Sequence, residues 1–226
     1  MKNTGKKILI AFFSIVIIAT ANCYGQEKAI GTNQNSVADQ LAIANLMNGW
    51  IHRDLGEWDA LRELFHPDGI IELSWFEGKF SDFVNASMKM GESDSRSSHF
   101  IGSPIITFNG NKAIAETNVI ATGENLKLGY GSAQYFRFYD MIEKRNGVWK
   151  IVKRQSVYDM GTFIFPSGVV EIDKTILDHY PHEYAPLAYM LEKSGYPVKR
   201  IFATKGSELE KSMKIEAKKW LERKDK

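Results

Sequence analysis

The segment AQYFRFYDMIEKRNGVWKIVKRQSVYD, residues 133–159, consists of two runs rich in Val, Ile, Tyr and Phe around the tripeptide Arg145-Asn146-Gly147. An Asn-Gly pair between apolar runs favours the tight turn of a β-hairpin, because both residues tolerate a positive φ. The preceding segment repeats the pattern, since residues 105–108 and 113–122 flank Asn109-Gly110-Asn111. Long strands joined by short turns predict an antiparallel sheet.

Helical patterns flank this sheet on both sides. Ser36-Val-Ala-Asp39 is typical of a capping box, and the apolar residues that follow recur at helical spacing as far as Gly56. A second capping box, Ser207-Glu-Leu-Glu210, begins a helix near the C-terminus. The other predicted elements are helices at residues 58–65, 80–90 and 183–194, a strand at residues 69–76 and a polar loop at residues 92–98. The order predicts an α+β domain at residues 36–165 and a helical C-terminal extension at residues 166–226.

The N-terminus has the order of a secretory signal peptide. Three Lys residues precede the apolar run ILIAFFSIVIIA at residues 8–19, which is shorter than the roughly 20 residues that a membrane span needs. We expect cleavage near Gly25, a flexible leader at residues 26–35, and export to the periplasm or the medium. Lipidation of Cys23 is the alternative, although Asn22 is unusual before a lipidated Cys.

The charge balance changes when the predicted signal peptide is removed. The whole chain carries 29 basic and 27 acidic residues, and residues 1–25 contain three Lys, no acidic residue and the single Cys. The remaining chain is therefore close to neutral and free of cysteine, as suits an oxidising compartment. It lacks the basic excess typical of nucleic-acid binders, so no nucleic-acid partner is expected, and no membrane span is expected in the mature protein.

Asp54 and His99 are the candidate catalytic residues. Asp54 follows Trp50 by four positions and falls on the apolar stripe of the first helix, where a carboxylate must be paired or hydrogen-bonded. His99 begins the first strand of the sheet. An Asp bonded to one imidazole nitrogen leaves the other as a base. Alternatively, Asp54 caps the end of its helix and His99 has a structural role.

Further candidates lie on the strand at residues 133–143. Tyr135, Arg137 and Tyr139 alternate on one face, which either lines a cavity or faces solvent. Together with Trp50, they are the candidates for contact with a substrate. His179 and His182 are three residues apart but have no third His or Cys beside them, so no metal site is expected. The chain also has no G-x-S-x-G, Walker, Rossmann or H-E-x-x-H sequence.

Taken together, four segments resemble the SnoaL-like branch of the nuclear transport factor 2 fold superfamily over roughly residues 37–160. The segments are WIHRDLGEWDALRELF at residues 50–65, PDG at 67–69, SHFIG at 98–102 and NGVWKI at 146–151. The resemblance implies a cone, in which a curved antiparallel sheet wraps around N-terminal helices and encloses a pocket. Members include dehydratases, dehydrochlorinases, isomerases and polyketide cyclases, alongside non-catalytic binders.

The resemblance also implies a site. In scytalone dehydratase and hexachlorocyclohexane dehydrochlorinase, an Asp at the end of the first long helix pairs with a His that opens a strand, and Asp54 and His99 match these positions. Arg53 stands where the dehydratase has a pocket tyrosine. The implied activity is that of a cofactor-free lyase or isomerase acting on a small, largely apolar or aromatic molecule, with no metal. The alternative is a non-catalytic module for small-molecule binding or dimerisation, and a homodimer is expected in either case.

Overall fold

The structure is a computed structural model that describes residues 37–223. The predicted signal peptide, leader and Ser36 cap lie outside these residues. The elements are, in chain order, α1 (Val37–Asn48), α2 (Ile51–Leu55), α3 (Trp58–Arg62), β1 (Phe65–Leu73), β2 (Phe76–Lys79), α4 (Phe80–Gly91), β3 (Ser95–Ile101), β4 (Ile105–Asn109), β5 (Lys112–Asn125), β6 (Tyr130–Arg145), β7 (Val148–Ile164), α5 (Lys174–Leu177), α6 (Ala185–Lys193) and α7 (Glu208–Glu222). The α+β prediction is confirmed.

The seven strands form one sheet that curls into a half-barrel, in the order β2-β1-β7-β6-β5-β3, with β4 paired to the first half of β5. Both predicted hairpins are present. At the tip of the β6–β7 hairpin, Asn146 and Gly147 have φ of 51° and 81°, as an Asn-Gly turn requires. The sheet is mixed rather than purely antiparallel, because β1 pairs with β7 in parallel.

Two predicted boundaries are wrong. The helix at residues 58–65 ends at Arg62, and β1 begins at Phe65, whose ring stacks on that of Phe80 with the centroids 3.5 Å apart. The predicted loop at residues 92–98 contains most of β3, which pairs with β5 along its whole length. Because β3 is an edge strand, polar residues such as Arg96 and Ser98 are exposed on it without cost, and its composition therefore resembles that of a loop.

The inner, concave face of the sheet packs on α1, α2 and α4. A fully buried ion pair lies at its centre, where Arg154 Nε donates to Asp140 Oδ1 over 2.8 Å. The Arg154 guanidinium lies 3.9 Å from the Phe138 ring centroid and 4.7 Å from that of Trp50. A buried ion pair loses the hydration of both charges, so it needs favourable contacts to offset that cost. The Asp140 carboxylate provides one for Arg154, and the faces of the two aromatic rings provide cation–π contacts in addition.

The outer face of the sheet packs against α7. The Ser207 cap is confirmed, since Ser207 Oγ accepts from the Glu210 N–H over 3.2 Å. Met213, Ala217 and Leu221 of α7 are buried in a cluster with outward-facing residues of the sheet. Within residues 37–223, no helix is both long and apolar enough to cross a membrane.

Candidate active site

Asp54 lies on α2, the short helix at which the first helical segment ends. Gly56 caps α2 with a φ of 71°, a left-handed conformation that suits glycine, and the chain then turns away into α3. Ile51, one of the apolar residues that recur at helical spacing before Gly56, is nevertheless 49% exposed, because α2 is separated from α1 by a turn at Gly49 and Trp50. This turn rotates α2 relative to the stripe of α1 and leaves the Asp54 side chain 10% exposed.

The Asp54 carboxylate accepts two hydrogen bonds from His99 on β3. Its Oδ1 lies 2.7 Å from His99 Nδ1, and its Oδ2 accepts from the backbone N–H of His99 over 2.7 Å. One carboxylate thus holds both the ring and the backbone of the same residue. The chain segments that carry these residues are 45 positions apart in sequence, so the sheet and α2 must both be formed before the contact exists.

The local environment favours the neutral imidazole of His99. Burial lowers its pKa below the ordinary 6.5, the hydrogen bond that the ring donates to Asp54 opposes that shift, and the nearby Arg53 charge adds to it. A carboxylate can only accept, so Nδ1 carries the proton and Nε2 presents a lone pair. His99 therefore has the protonation state and tautomer of a general base.

The Trp50 ring packs edge-on against the His99 imidazole. Their ring centroids are 6.0 Å apart with planes at 80°, and Trp50 also stacks on Phe83 at 5.5 Å. The Trp50 side chain is 1% exposed and does not line the cavity beside His99. The expectation that Trp50 contacts a substrate therefore does not fit the structure, in which Trp50 packs against the imidazole instead.

A cavity of about 390 Å³ opens beside His99. It lies between α2, α4, α6 and the inner face of the sheet. Its apolar walls are Leu73, Trp75, Phe136, Phe138, Leu187 and Met190, and its polar residues include Arg53, Asp54, Ser87, His99, Gln134 and Tyr158. The volume falls within the range of ligand pockets, and apolar walls with few polar groups are typical of them.

The C-terminal segment completes one wall of this cavity. Leu187, Met190 and Leu191 of α6 line it, followed by Tyr196. Gln134 on β6 ties the start of α6 to the sheet, because its Nε2 donates to the backbone carbonyl of Glu183 over 2.8 Å. Sequence reasoning missed Gln134 and the wall residues. Inward alternation on β6 with Phe136 and Phe138 could have indicated Gln134.

The other candidate substrate contacts are on the opposite face of β6. Arg137 Nη2 donates to Asp159 Oδ1 over 2.8 Å, and Nη1 bonds to Glu116 and to Glu210 of α7. Tyr139 is buried in the cluster under α7, and Tyr135 is 39% exposed. The inner positions of β6 are the even-numbered ones, so Tyr135, Arg137 and Tyr139 do not line the cavity.

Comparison with known proteins identifies the domain. The model of the SnoaL-like domain family matches residues 35–155. A provisionally assigned scytalone dehydratase from Novosphingobium aromaticivorans DSM 12444 is 22% identical, with a TM-score of 0.50, over 59% of this chain and 96% of that one. No curated protein sequence matches this chain.

Two dehydrochlorinases have the same fold. A type 2 hexachlorocyclohexane dehydrochlorinase is 17% identical, with a TM-score of 0.51, over 59% of this chain and 94% of that one. The type 3 enzyme from Novosphingobium barchaimii LL02 is 19% identical, with a TM-score of 0.50, over 60% of this chain and 95% of that one. At these identities the likeness shows the fold, while the chemistry must be argued from the residues of this chain.

Proposed function

This chain belongs to the SnoaL-like domain family, and on that premise we propose that it is a cofactor-independent lyase or isomerase that removes a proton from carbon. His99 is the base and Asp54 its orienting partner. The observation that carries the proposal is the double contact between the Asp54 carboxylate and His99 at the wall of a cavity. The similar structures support it, because the dehydratase and the two dehydrochlorinases have this fold and are named for elimination reactions.

The chemistry follows from the tautomer of His99. Nε2 takes the proton of a C–H bond, and the imidazole becomes an imidazolium. Asp54 stabilises that cation through the Nδ1–H bond, and the second bond, to the backbone N–H, prevents the carboxylate from rotating away. In a lyase, the electron pair left on carbon forms a double bond and expels a leaving group from the neighbouring atom. In an isomerase, the carbanion is delocalised and takes the proton back from the imidazolium at a different carbon.

Asp54→Asn and His99→Ala test these roles. Ligands are first found by an NMR screen of small aromatic and carbonyl compounds against the wild-type protein, and turnover of the ligands is then followed. We expect both variants to retain their fold by circular dichroism and to lose turnover by about 10²–10⁴-fold, the usual contribution of a general base. His52→Ala is the control, because His52 lies on the same helix but bonds to Glu57, with Nδ1 2.6 Å from Oε2.

Turnover that persists in either variant would overturn the mechanism. Ligands that bind at the cavity without turnover by the wild-type protein would instead favour the binding module of the same fold.

Export is part of the proposal. Its support is the order of basic, apolar and small polar residues at positions 1–25. Mass spectrometry of the protein made in a bacterial host tests it, and we expect a mature N-terminus at Gln26 in the periplasmic or secreted fraction. A lipid on Cys23 would favour the lipoprotein, and an uncleaved cytosolic chain would contradict export.

A homodimer through the outer face of the sheet is also proposed. Phe100, Ile120, Tyr135 and Met160 lie opposite one another on β3, β5, β6 and β7 and form an apolar row that is 37–74% exposed. Such a continuous row is typical of an interface. Light scattering should show a dimer for the wild-type protein and a monomer for Phe100→Glu. A monomeric wild-type protein would contradict the proposal.

A further inference from the structure

The side chain of Arg53 places a guanidinium in the cavity wall. The proposed proton transfer does not use this group. Arg53 precedes Asp54 on α2, and its side chain is 10% exposed. Its Cζ lies 5.8 Å from the centroid of the Trp75 ring, another wall residue. The charge thus lies beside the proposed base and is largely removed from water.

The hydrogen bonds of Arg53 are few for a buried guanidinium. Nη1 donates to Ser97 Oγ over 3.0 Å, and Nη2 has a weak contact of 3.9 Å with Met90 Sδ. Nε is buried and has no partner among residues 37–223. A buried charge with unfilled donors is unfavourable unless an anion completes it.

Asp54 lies close enough for an ion pair with Arg53 but does not fill its hydrogen-bond donors. Its Oδ1 lies 3.7 Å from Arg53 Nη1, beyond a normal hydrogen bond, and both of its oxygens already accept from His99. Burial lowers the pKa of the Arg53 guanidinium, while the Asp54 charge opposes that shift. The guanidinium nevertheless stays charged at neutral pH, because its ordinary pKa is so high.

The other charged residues at the cavity, Arg96 and Glu124, lie opposite each other in the β3–β5 pairing. Arg96 Nη1 donates to the backbone carbonyls of Ser93 and Ser95, at 2.9 and 2.8 Å. Arg96 is therefore exposed and hydrogen-bonded to its neighbouring backbone, whereas Arg53 is largely buried and has a donor without a partner among residues 37–223.

We propose that the cavity binds a small molecule with a carboxylate, which Arg53 holds, while the apolar body of the ligand lies against Trp75, Phe136 and Phe138. The planar fork of a guanidinium matches a carboxylate in shape and charge. The inference deepens the proposed function and rests on it for one point, namely that the anchored ligand presents a carbon to His99. The predicted substrate is thereby sharpened from a largely apolar molecule to an aryl or alkyl carboxylic acid.

The test uses a series of phenylalkanoates, from phenylacetate to 5-phenylpentanoate, each paired with its neutral amide, in calorimetric titrations of the full mature chain. We expect at least one acid to bind about tenfold tighter than its amide, in keeping with the strength of a charge-assisted bond. Arg53→Gln should abolish this preference, Arg53→Lys should retain part of it, and Arg96→Gln should leave it unchanged.

Equal binding of every acid and amide, no binding by any acid, or a preference that survives in Arg53→Gln would overturn the inference. His99→Gln separates this inference from the proposed function, because equilibrium binding of the carboxylate does not need the base. A retained preference in His99→Gln together with unimpaired turnover would overturn the proposed function and leave the carboxylate site standing.

Discussion

Both carboxylate oxygens of Asp54 accept hydrogen bonds from one residue, His99, at 2.7 Å to the ring Nδ1 and 2.7 Å to the backbone N–H. A carboxylate that merely capped its helix would bond to neighbouring N–H groups of α2. This one instead joins α2 to the edge strand β3. The contact fixes the tautomer of a buried histidine beside a cavity, and the proposed chemistry depends on that arrangement.

The pH dependence of activity should reflect the lowered pKa of His99. The neutral imidazole is the active form, and burial disfavours its protonation. We therefore expect the acidic limb of kcat/KM to have its midpoint below pH 6.5, and the His99 ring resonance in NMR to titrate there too. Assignment by loss of the signal in His99→Gln provides the control, and a midpoint above 6.5 would contradict the environment described.

The same shift affects stability. Between the folded pKa of His99 and 6.5, the unfolded chain binds a proton that the folded chain does not. Stability should therefore fall as pH decreases through that window, and His99→Gln should reduce this dependence. Urea unfolding at stepped pH measures it, and an unchanged dependence in His99→Gln would show that other groups are responsible.

Breaking the buried pair of Arg154 and Asp140 should lower the free energy of unfolding more than breaking an exposed ion pair does. Asp140→Asn leaves a fully buried guanidinium without its counter-ion, which costs about 3–5 kcal/mol of unfolding free energy. Glu63→Gln is a matched control, because it breaks an ion pair with Lys150 in which the Glu63 side chain is 77% exposed, worth about 0–1 kcal/mol. Similar losses in the two variants, measured by denaturant unfolding, would contradict the account.

Docking of α7 should depend on pH through Glu210. Burial alone would raise its pKa, but hydrogen bonds from Gly206, Arg137 and Lys214 lower it to about 2 from an ordinary 4.5. The folded carboxylate thus contributes stability that is present above pH 4.5 and is lost as pH falls towards 2. Glu210→Gln should weaken that dependence in urea unfolding, whereas Glu208→Gln, whose side chain is 86% exposed, should not.

Much of the fold was predictable because its determinants are local. The Asn146-Gly147 turn and the Ser207 cap each depend on a few adjacent residues, and both were found. The strand β3 was missed because an edge strand tolerates the composition of a loop. The domain boundary after residue 165 stays a prediction.

The site was only partly predictable. Sequence alternation showed that Tyr135, Arg137 and Tyr139 share a face, but not which side of the sheet that face occupies. The answer depends on α7, because Glu210 lies more than 70 residues away and pairs with Arg137 on the outer side. The cavity wall formed by α6 also brings together residues that are far apart in sequence, so it could not be predicted from local pattern. Asp54 and His99 became the candidate pair because the resemblance supplied the long-range pairing that spacing alone could not, and their catalytic role stays a prediction.

The most direct test of the central claim, that His99 removes a proton from carbon, is exchange of carbon-bound hydrogen in D₂O. Ligands from the screen and the phenylalkanoate series are incubated with wild-type protein, His99→Gln and the control His52→Gln, and deuterium incorporation is followed by NMR. The account predicts exchange at one carbon with wild type and His52→Gln, and none above the solvent background with His99→Gln. Exchange at the wild-type rate in His99→Gln, or no exchange of any ligand by the wild-type protein, would contradict it.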